Sequence, residues 1–236
     1  MRLYLFDIDG TLVYAHRAGH TCLIQAMTAV FGTAGTPDGY DWRGKTDPRI
    51  VVDLLRGASV PEPTIRARLD ECFAQYAHCL EGVVDAGHPV DVYPGIRPLL
   101  ESLSTRDDAL VGLLTGNVEP GARLKLKPTG LLPFFRLGAY GSDDIDRRNL
   151  PAIARARAQA LARRPIPFSD ILIIGDTPLD IDCARAAGAV AVAVATGQHS
   201  LEKLSAHSPD LLFPDFSDTA AVLRLLAGAA VRRTAG

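Results

Sequence analysis

The sequence lacks three features that would point to particular classes of protein. No apolar run approaches the roughly 20 residues that span a bilayer, so we expect no membrane-spanning helix. The formal net charge is −2 and no long basic run occurs, which gives no support to nucleic-acid binding. A predicted strand begins at residue 3, so we expect no signal peptide before it.

Cysteines are few and show no recognisable framework. The four of them form no Cys-x-x-Cys pair and have no disulfide-dense spacing, so we expect reduced thiols and a cytoplasmic location. Cys72 and Cys79 are seven residues apart, which puts them on one face of a predicted helix as small apolar residues. With 47% hydrophobic and 22% charged residues, the 236-residue chain has an ordinary globular composition and can bury a sizeable core.

Strand and helix patterns alternate through most of the chain. Four short apolar runs that end in glycine or polar residues predict buried strands, namely LYLF (3–6), ALVGLLTGN (109–117), DILIIGDTPLD (170–180) and AVAVAVATG (189–197). Helical patterns occupy 118–126, 149–162, 178–189 and 218–230. The alternation predicts an α/β fold with an open, doubly wound parallel sheet.

One interval, residues 15–91, breaks this alternation. Its pattern is helical, over 20–32, 47–58 and 61–84. We therefore predict a small all-helical domain at 15–91, inserted after the first strand of a core that comprises 1–14 and 92–236. The last six residues, 231–236, are predicted to be a frayed tail.

Polar residues cluster where the predicted strands end. Asp7 and Asp9 lie two residues apart, and side chains alternate faces along an extended chain, so both start on one side. Two anions about 4 Å apart repel by roughly 4 kcal/mol at an effective dielectric near 20, so a cation or a proton is needed. A turn at Asp9 and Gly10 is the alternative interpretation. Thr115 and Asp176 also follow strands, at the edge where open α/β sheets bind ligands, and this favours a functional site.

Three motifs in order resemble the haloacid dehalogenase-like hydrolase superfamily. Asp7-Ile-Asp-Gly-Thr-Leu is similar to its first motif, Thr115 after LVGLL to its second, and IIGDTPLDIDCARAAGA to its fourth. The resemblance covers nearly the whole chain and includes YPGIRPLLESL before the second motif. It implies a Rossmann-like core, with the insertion at 15–91 as a helical cap over the site.

The resemblance also implies a set of catalytic and metal-binding acids. Asp7 would be the nucleophile that takes a phosphoryl group, and Asp9 the general acid and base beside it. The backbone carbonyl of Asp9 would join the carboxylates of Asp7 and Asp176 around Mg²⁺, a hard cation that prefers oxygen ligands. Asp180 would support this metal site, although an aspartate at a helix start also complements the helix dipole. An aspartate at position 9 favours phosphoryl transfer, since dehalogenases of the superfamily typically lack it.

Four further positions are implied to bind the substrate's phosphate. Thr115 offers a hydroxyl and an N–H group at a helix start, and Gly116 would let the backbone approach the phosphate closely. Thr11 and Asn117 belong to the same motifs, and Asn117 is also a good candidate for the helix N-cap.

The basic residue of the third motif is open to three interpretations. The usual Lys-Pro form is missing, and GSDDIDRRNLPAIARA stands in its place. Arg147 or Arg148 begins the helix that leads to the 170–180 strand, and the resemblance favours Arg147, which would grip phosphate bidentately. Lys125 is the rival, but it lies ten residues beyond Thr115. A helical rise of about 1.5 Å per residue puts it too far from the site.

Charged residues in the insertion are candidates for substrate binding. Arg43 and Lys45 would reach down from the cap to an anionic group of the substrate, with solvated surface charges as the alternative. Asp47 and Pro48 follow them and predict a helix N-cap with a first-turn proline.

The leading hypothesis is a Mg²⁺-dependent phosphatase that acts on a small phosphorylated metabolite, in the manner of phosphoglycolate phosphatases, as a monomer or homodimer. A phosphomutase of the β-phosphoglucomutase type is the alternative, followed by a dehalogenase and a non-catalytic phosphate sensor, because a fold alone does not give a function. The substrate stays open, since it depends on cap side chains whose positions the sequence does not reveal.

Overall fold

Eight strands occur among residues 1–229, the part of the chain that the computed structural model describes. They are β1 (Arg2–Phe6), β2 (Val13–Tyr14), β3 (Asp91–Val92), β4 (Ala109–Leu114), β5 (Leu137–Ala139), β6 (Ile171–Gly175), β7 (Val190–Val194) and β8 (Leu211–Phe213). Six of them form one parallel sheet in the order β5-β4-β1-β6-β7-β8. The predicted α/β fold with a parallel sheet is confirmed, although β5 and β8, with three residues each, carry too little pattern to be predicted.

Ten α-helices occur among residues 1–229. They are α1 (Ala18–Phe31), α2 (Asp47–Gly57), α3 (Glu62–Ala67), α4 (Leu69–Asp85), α5 (Ile96–Ser104), α6 (Glu119–Leu126), α7 (Leu150–Ala162), α8 (Pro178–Ala187), α9 (Leu201–Ser205) and α10 (Thr219–Gly228). Helices α5, α6 and α10 pack with Tyr4 and Phe6, while α7, α8 and α9 pack with Leu3 and Leu5. Because neighbouring residues of β1 enter different cores, the strand is apolar from Leu3 to Phe6.

The predicted helical patterns of the core agree with α6, α7, α8 and α10. The last residue of the 218–230 pattern and the predicted tail at 231–236 lie outside the described residues. Among residues 1–229, every helix is too short or too polar to cross a membrane.

Helices α1 to α4 form the predicted cap, and their apolar cluster includes Leu23, Met27, Leu55 and Tyr76, together with Val118 from the segment before α6. The predicted helix at 61–84 is divided at Arg68 into α3 and α4. The antiparallel pair β2–β3 joins the two segments through which the chain leaves and re-enters the core. The domain boundaries at 14/15 and 91/92 stay predictions.

A disulfide in the cap corrects the expectation of reduced thiols. Cys22 of α1 and Cys79 of α4 are bonded, with their Cα atoms 5.5 Å apart, while Cys72 and Cys183 are free and buried. The cysteines that pair are 57 residues apart, and only the packing of α1 on α4 brings them together. The bonded pair is therefore invisible in the cysteine spacing.

Candidate active site

The carboxyl ends of three neighbouring strands bring the predicted site residues together. Asp7 follows β1, Thr115 follows β4 and Asp176 follows β6, and β1 lies between the other two strands. All three residues line one cavity of about 410 Å³, which is also lined by residues of the cap. This is the switch point of the strand order, where open α/β sheets bind ligands. We call Asp7, Asp9, Thr115 and Asp176 the strand-end cluster.

Three buried carboxylates at this edge lie close enough to share a cation. One oxygen each of Asp7, Asp176 and Asp180 lies within 4.8 Å of the others. Burial raises the pKa of Asp7 to about 6, although Arg147 opposes the shift. Burial, and then the charges of Asp180 and Asp7, raise the pKa of Asp176 well above its ordinary value. Crowded carboxylate oxygens of this kind fit a hard divalent cation such as Mg²⁺.

Asp180 differs from the other two acids because its oxygens already have strong partners. Oδ1 accepts a hydrogen bond from Arg147 at 2.5 Å, and Oδ2 accepts the N–H and the hydroxyl of Thr177 in a capping box that starts α8. Among residues 1–229, Asp176 accepts one side-chain hydrogen bond, from Thr11. Asp7 and Asp176 are therefore better placed than Asp180 to hold a metal ion, and Asp180 holds Arg147.

Arg147 is the basic residue that lies against Asp7. The side chain is buried, and its Nη2 lies 3.2 Å from Asp7 Oδ2 and 2.5 Å from Asp180 Oδ1. Its Nε is a buried nitrogen without a hydrogen-bond partner among the described residues. Arg148, by contrast, is exposed and pairs with the aspartate two positions before it. The geometry favours Arg147 over Arg148 for the third-motif role, which stays a proposal.

Asp9 is held by Lys125, which the sequence argument placed too far from the site. Lys125 Nζ donates to Asp9 Oδ2 and to Asn117 Oδ1, each at 2.6 Å, and Asn117 Nδ2 donates to Asp9 Oδ2 at 2.8 Å. Enclosure in the cavity would raise the pKa of Asp9, but Lys125 and these hydrogen bonds hold it below its ordinary value. Asn117 is thus part of the site and not the helix N-cap, a position that Val118 takes.

The distance argument against Lys125 is wrong because the path from Thr115 is not a straight helix. The backbone is extended at Val118, and α6 begins only at Glu119. Helical side chains point back toward the N-terminus, so the lysine stem returns toward the strand ends. Gly19 of α1 leaves room for it, since a Cβ there would lie 2.9 Å from Lys125 Nζ.

Two threonines of the motifs have different positions. Thr115 Oγ1 accepts hydrogen bonds from the N–H and Nδ2 of Asn117, at 3.3 and 2.8 Å, so its own hydroxyl hydrogen can be donated into the cavity. Thr11 is fully buried and donates to Asp176 Oδ1 at 3.2 Å, which orients that carboxylate. A direct contact between Thr11 and the substrate stays a prediction, and the structure gives Thr11 a supporting position.

The cap backbone joins the core at Gly116. A Cβ there would lie 2.1 Å from the carbonyl oxygen of Lys45, and the Gly116 carbonyl accepts the N–H of Asp47 at 2.8 Å. The buried carboxylate of Asp47 accepts the Val118 N–H at 2.9 Å, and burial raises its pKa to about 6. Thr46, not Asp47 as predicted, is the N-cap of α2, and this leaves the Asp47 side chain to bind the core. Gly116 therefore makes room for the cap backbone, and its predicted contact with phosphate stays a prediction.

Among the cap residues that line the cavity, five basic or aromatic side chains form one group. We call them the cap wall: Arg17, His20, Trp42, Arg43 and Lys45. Arg43 and Lys45 lie where substrate binding is predicted, and each is already paired with an aspartate of the cap, at 2.7 and 3.7 Å. His20 stacks on Trp42 with ring centroids 4.6 Å apart. No motif marks Arg17, His20 or Trp42, because only the folded cap brings them together.

Comparison with known proteins places this geometry in a family. The family model that matches describes haloacid dehalogenase-like hydrolases and covers residues 1–188. A phosphoglycolate phosphatase from Synechococcus elongatus is 30% identical over 223 residues, which cover 92% of this chain and 95% of that protein.

Solved structures show the same fold. A predicted phosphoglycolate phosphatase from Haemophilus somnus superposes with a TM-score of 0.67 at 21% identity, over 94% of this chain and 98% of that one. CbbY from Rhodobacter sphaeroides, in complex with phosphate, gives a TM-score of 0.68 at 16% identity, over 92% and 96% of the two chains. The chain thus belongs to the haloacid dehalogenase-like hydrolase family, as its three motifs predict.

Proposed function

We propose that this hydrolase is a Mg²⁺-dependent phosphatase that releases phosphate from a small phosphorylated acid such as 2-phosphoglycolate, through an aspartyl-phosphate at Asp7. The observation that carries the proposal is the strand-end cluster, which gathers a buried nucleophile, an acid–base group and a hydroxyl donor around one cavity. The name of the Synechococcus elongatus relative, which matches over nearly the full length of both chains, supports this class of substrate.

In the first step Asp7 attacks phosphorus. A bond forms between its carboxylate oxygen and phosphorus while the bond from phosphorus to the leaving oxygen breaks. Arg147 lies 3.2 Å from Asp7, so it can hold the carboxylate in place and stabilise negative charge on the phosphoryl oxygens. The Thr115 hydroxyl hydrogen is free to bond one of these oxygens.

Asp9 moves the protons. It gives a proton to the leaving oxygen, and it later takes one from the water that attacks the aspartyl-phosphate and releases phosphate. Lys125 keeps Asp9 ionised in the free protein, which is the form that the second step needs. A phosphate dianion beside Asp9 favours its protonated form, which the first step needs, because nearby negative charge raises the pKa of a carboxyl group.

Mg²⁺ would be held by the carboxylates of Asp7 and Asp176, with the backbone carbonyl of Asp9 as a third ligand implied by the family. When bound, it would neutralise phosphate charge beside these acids. Asp180 would act behind the metal site, because Arg147 and Thr177 already occupy its oxygens. Arg43 and Lys45 would contribute positive charge at the cap side of the cavity.

Phosphate release from a panel of small phosphomonoesters, with Mg²⁺ and with EDTA, tests the proposal. We expect turnover only with Mg²⁺, and Asp7→Asn should lower the rate at least about 1000-fold. Asp107 is exposed at the opposite end of β4, so Asp107→Asn is a matched control with wild-type activity. Equal activity of Asp7→Asn and wild type would contradict the proposal, and transfer of the phosphoryl group to another hydroxyl would support the mutase alternative.

A further inference from the structure

Arg17 is a cavity residue that neither the motifs nor the proposed reaction accounts for. It lines the same cavity as the strand-end cluster, is exposed there, and immediately precedes the first residue of α1. Its guanidinium makes no hydrogen bond or ion pair with any residue in 1–229, as the contacts of the described residues show. Arg43 and Lys45, the other long cations of the cap wall, are both paired with aspartates.

The backbone of Arg17 points to a role for its side chain. Its φ is +64°, and that of His16 before it is +44°, so two successive residues occupy the left-handed region that glycine adopts at least cost. No glycine occurs at either position. An arginine kept in this conformation at a cavity is an outlier from which a function can be inferred.

The position of α1 sets what Arg17 can reach. Two residues further on, a Cβ at Gly19 would lie 2.9 Å from Lys125 Nζ, and Lys125 Nζ lies 2.6 Å from Asp9. Consecutive Cα atoms are about 3.8 Å apart, so the Arg17 Cα lies within about 8 Å of that of Gly19. The organic part of a phosphomonoester begins at the oxygen that Asp9 protonates, and it therefore extends toward the start of α1 and Arg17.

We propose that Arg17 binds a carboxylate of the substrate, so that the enzyme selects short phosphomonoesters of carboxylic acids over neutral phosphomonoesters of equal size. The assignment rests on the proposed function, which places the phosphate end of the substrate beside Asp7 and Asp9. A guanidinium without an acidic partner can bind a carboxylate through two parallel hydrogen bonds, whereas Arg43 and Lys45 would first have to leave their aspartates.

Two substrates of equal length test this assignment. 2-Phosphoglycolate carries the carboxylate, and ethylene glycol monophosphate carries a neutral hydroxymethyl group in its place. In Arg17→Gln, kcat/KM for 2-phosphoglycolate should fall about 10- to 100-fold, while that for ethylene glycol monophosphate stays within about twofold of wild type. Arg17→Lys should restore part of the preference, because it keeps the charge and loses the bidentate geometry.

Arg163 supplies the matched control. It is also an exposed arginine with positive φ, +52°, but it ends α7 and lies outside the cavity lining. Arg17→Gly and Arg163→Gly both relieve the backbone, so both should fold, and only Arg17→Gly should lose the preference for the carboxylate. An unchanged ratio of the two kcat/KM values in Arg17→Gln and Arg17→Gly would overturn the assignment.

Binding separates this inference from the proposed reaction. Calorimetry with 2-phosphoglycolate on Asp7→Asn, with and without Arg17→Gln, needs no turnover. An increase of about 10-fold or more in Kd supports the role of Arg17 even if the wild type hydrolyses neither ester. No detectable binding to Asp7→Asn itself, or equal Kd values with and without Arg17→Gln, would reject it even if phosphatase activity is found.

Discussion

The strand-end cluster and the cap wall face one cavity, yet they are built in opposite ways. In the cluster, Asp7 and Asp9 each have a buried cation from elsewhere in the core, namely Arg147 and Lys125. Each carboxylate is held by groups that come from a different strand or helix. This arrangement fixes the geometry that a reaction needs before the substrate arrives.

Within the described part of the chain, the cap wall has no hydrogen bond or ion pair of this kind across the cavity. Its arginine and lysine at 43 and 45 pair within the cap, and Arg17 has no partner among residues 1–229. One pair is exposed and the other is partly exposed, and ion pairs that water reaches contribute little stability, so these side chains can change without disturbing the core. The comparison suggests that the core determines the reaction and the cap determines the substrate.

The largest effect is expected from breaking the buried network of the cluster. Arg147→Gln should lower kcat/KM about 100- to 1000-fold, because it removes the charge beside Asp7. It should also lower the free energy of unfolding by about 3–5 kcal/mol, since Asp7 and Asp180 stay buried without their cation. Steady-state kinetics and urea unfolding measure both quantities.

The neighbouring arginine offers the control. Arg148 is exposed and pairs with an aspartate beside it, so Arg148→Gln should resemble wild type in both assays. If the two variants lost equal activity, the proposed role of Arg147 beside Asp7 would be wrong.

A second effect belongs to the cap. The disulfide closes a loop between residues 57 positions apart, and loop-closure entropy assigns it about 4 kcal/mol of stability. The double variant Cys22→Ala, Cys79→Ala should lose that stability in urea unfolding. Because α1 and α4 carry cavity residues, its KM should rise more than its kcat falls.

A reductant provides the internal check on that variant. Dithiothreitol should destabilise the wild type and leave the double variant unchanged, because Cys72 and Cys183 are already free. If dithiothreitol left the free energy of unfolding of the wild type unchanged, the stability of the cap would not depend on this disulfide.

The difference between the strand-end cluster and the cap wall explains which features could be predicted from the sequence. The sheet order and the comparisons confirm the predicted fold, family and phosphatase class. These could be predicted because apolar runs that stop at Asp7, Thr115 and Asp176 mark the strands, and the parallel strands align these residues. The cytoplasmic location and the metal stay predictions.

The errors concern residues whose position depends on packing. Lys125 can contact Asp9 because the backbone is extended before α6 and because Gly19 of the cap leaves room for the lysine side chain. Neither feature is visible in residue spacing. The disulfide forms only because α1 packs beside α4. Arg17 becomes a candidate for substrate binding only when the folded cap places it in the cavity lining. Spacing along the chain predicts the strand ends well, and it predicts contacts between distant helices poorly.

The junction between the two regions gives the last prediction. Asp47 lies in the cap and binds the core at Val118, and burial raises its pKa from 3.8 to about 6. Asp47→Asn keeps the hydrogen-bond acceptor and removes the buried charge. At pH 7.5 it should therefore raise the free energy of unfolding by about 3 kcal/mol, at 1.36 kcal/mol per pKa unit.

The pH dependence distinguishes this explanation from improved packing. A carboxyl group whose pKa is higher in the folded state destabilises fully above that pKa, and the penalty disappears as pH falls to the unfolded value. The gain from Asp47→Asn should thus shrink to about half at pH 5 and vanish below about pH 3.8. Urea unfolding of both proteins at pH 7.5, 5 and 3.5 measures it. If Asp47→Asn raised the free energy of unfolding by the same amount at every pH, the buried charge of Asp47 would not be what destabilises the junction between the cap and the core.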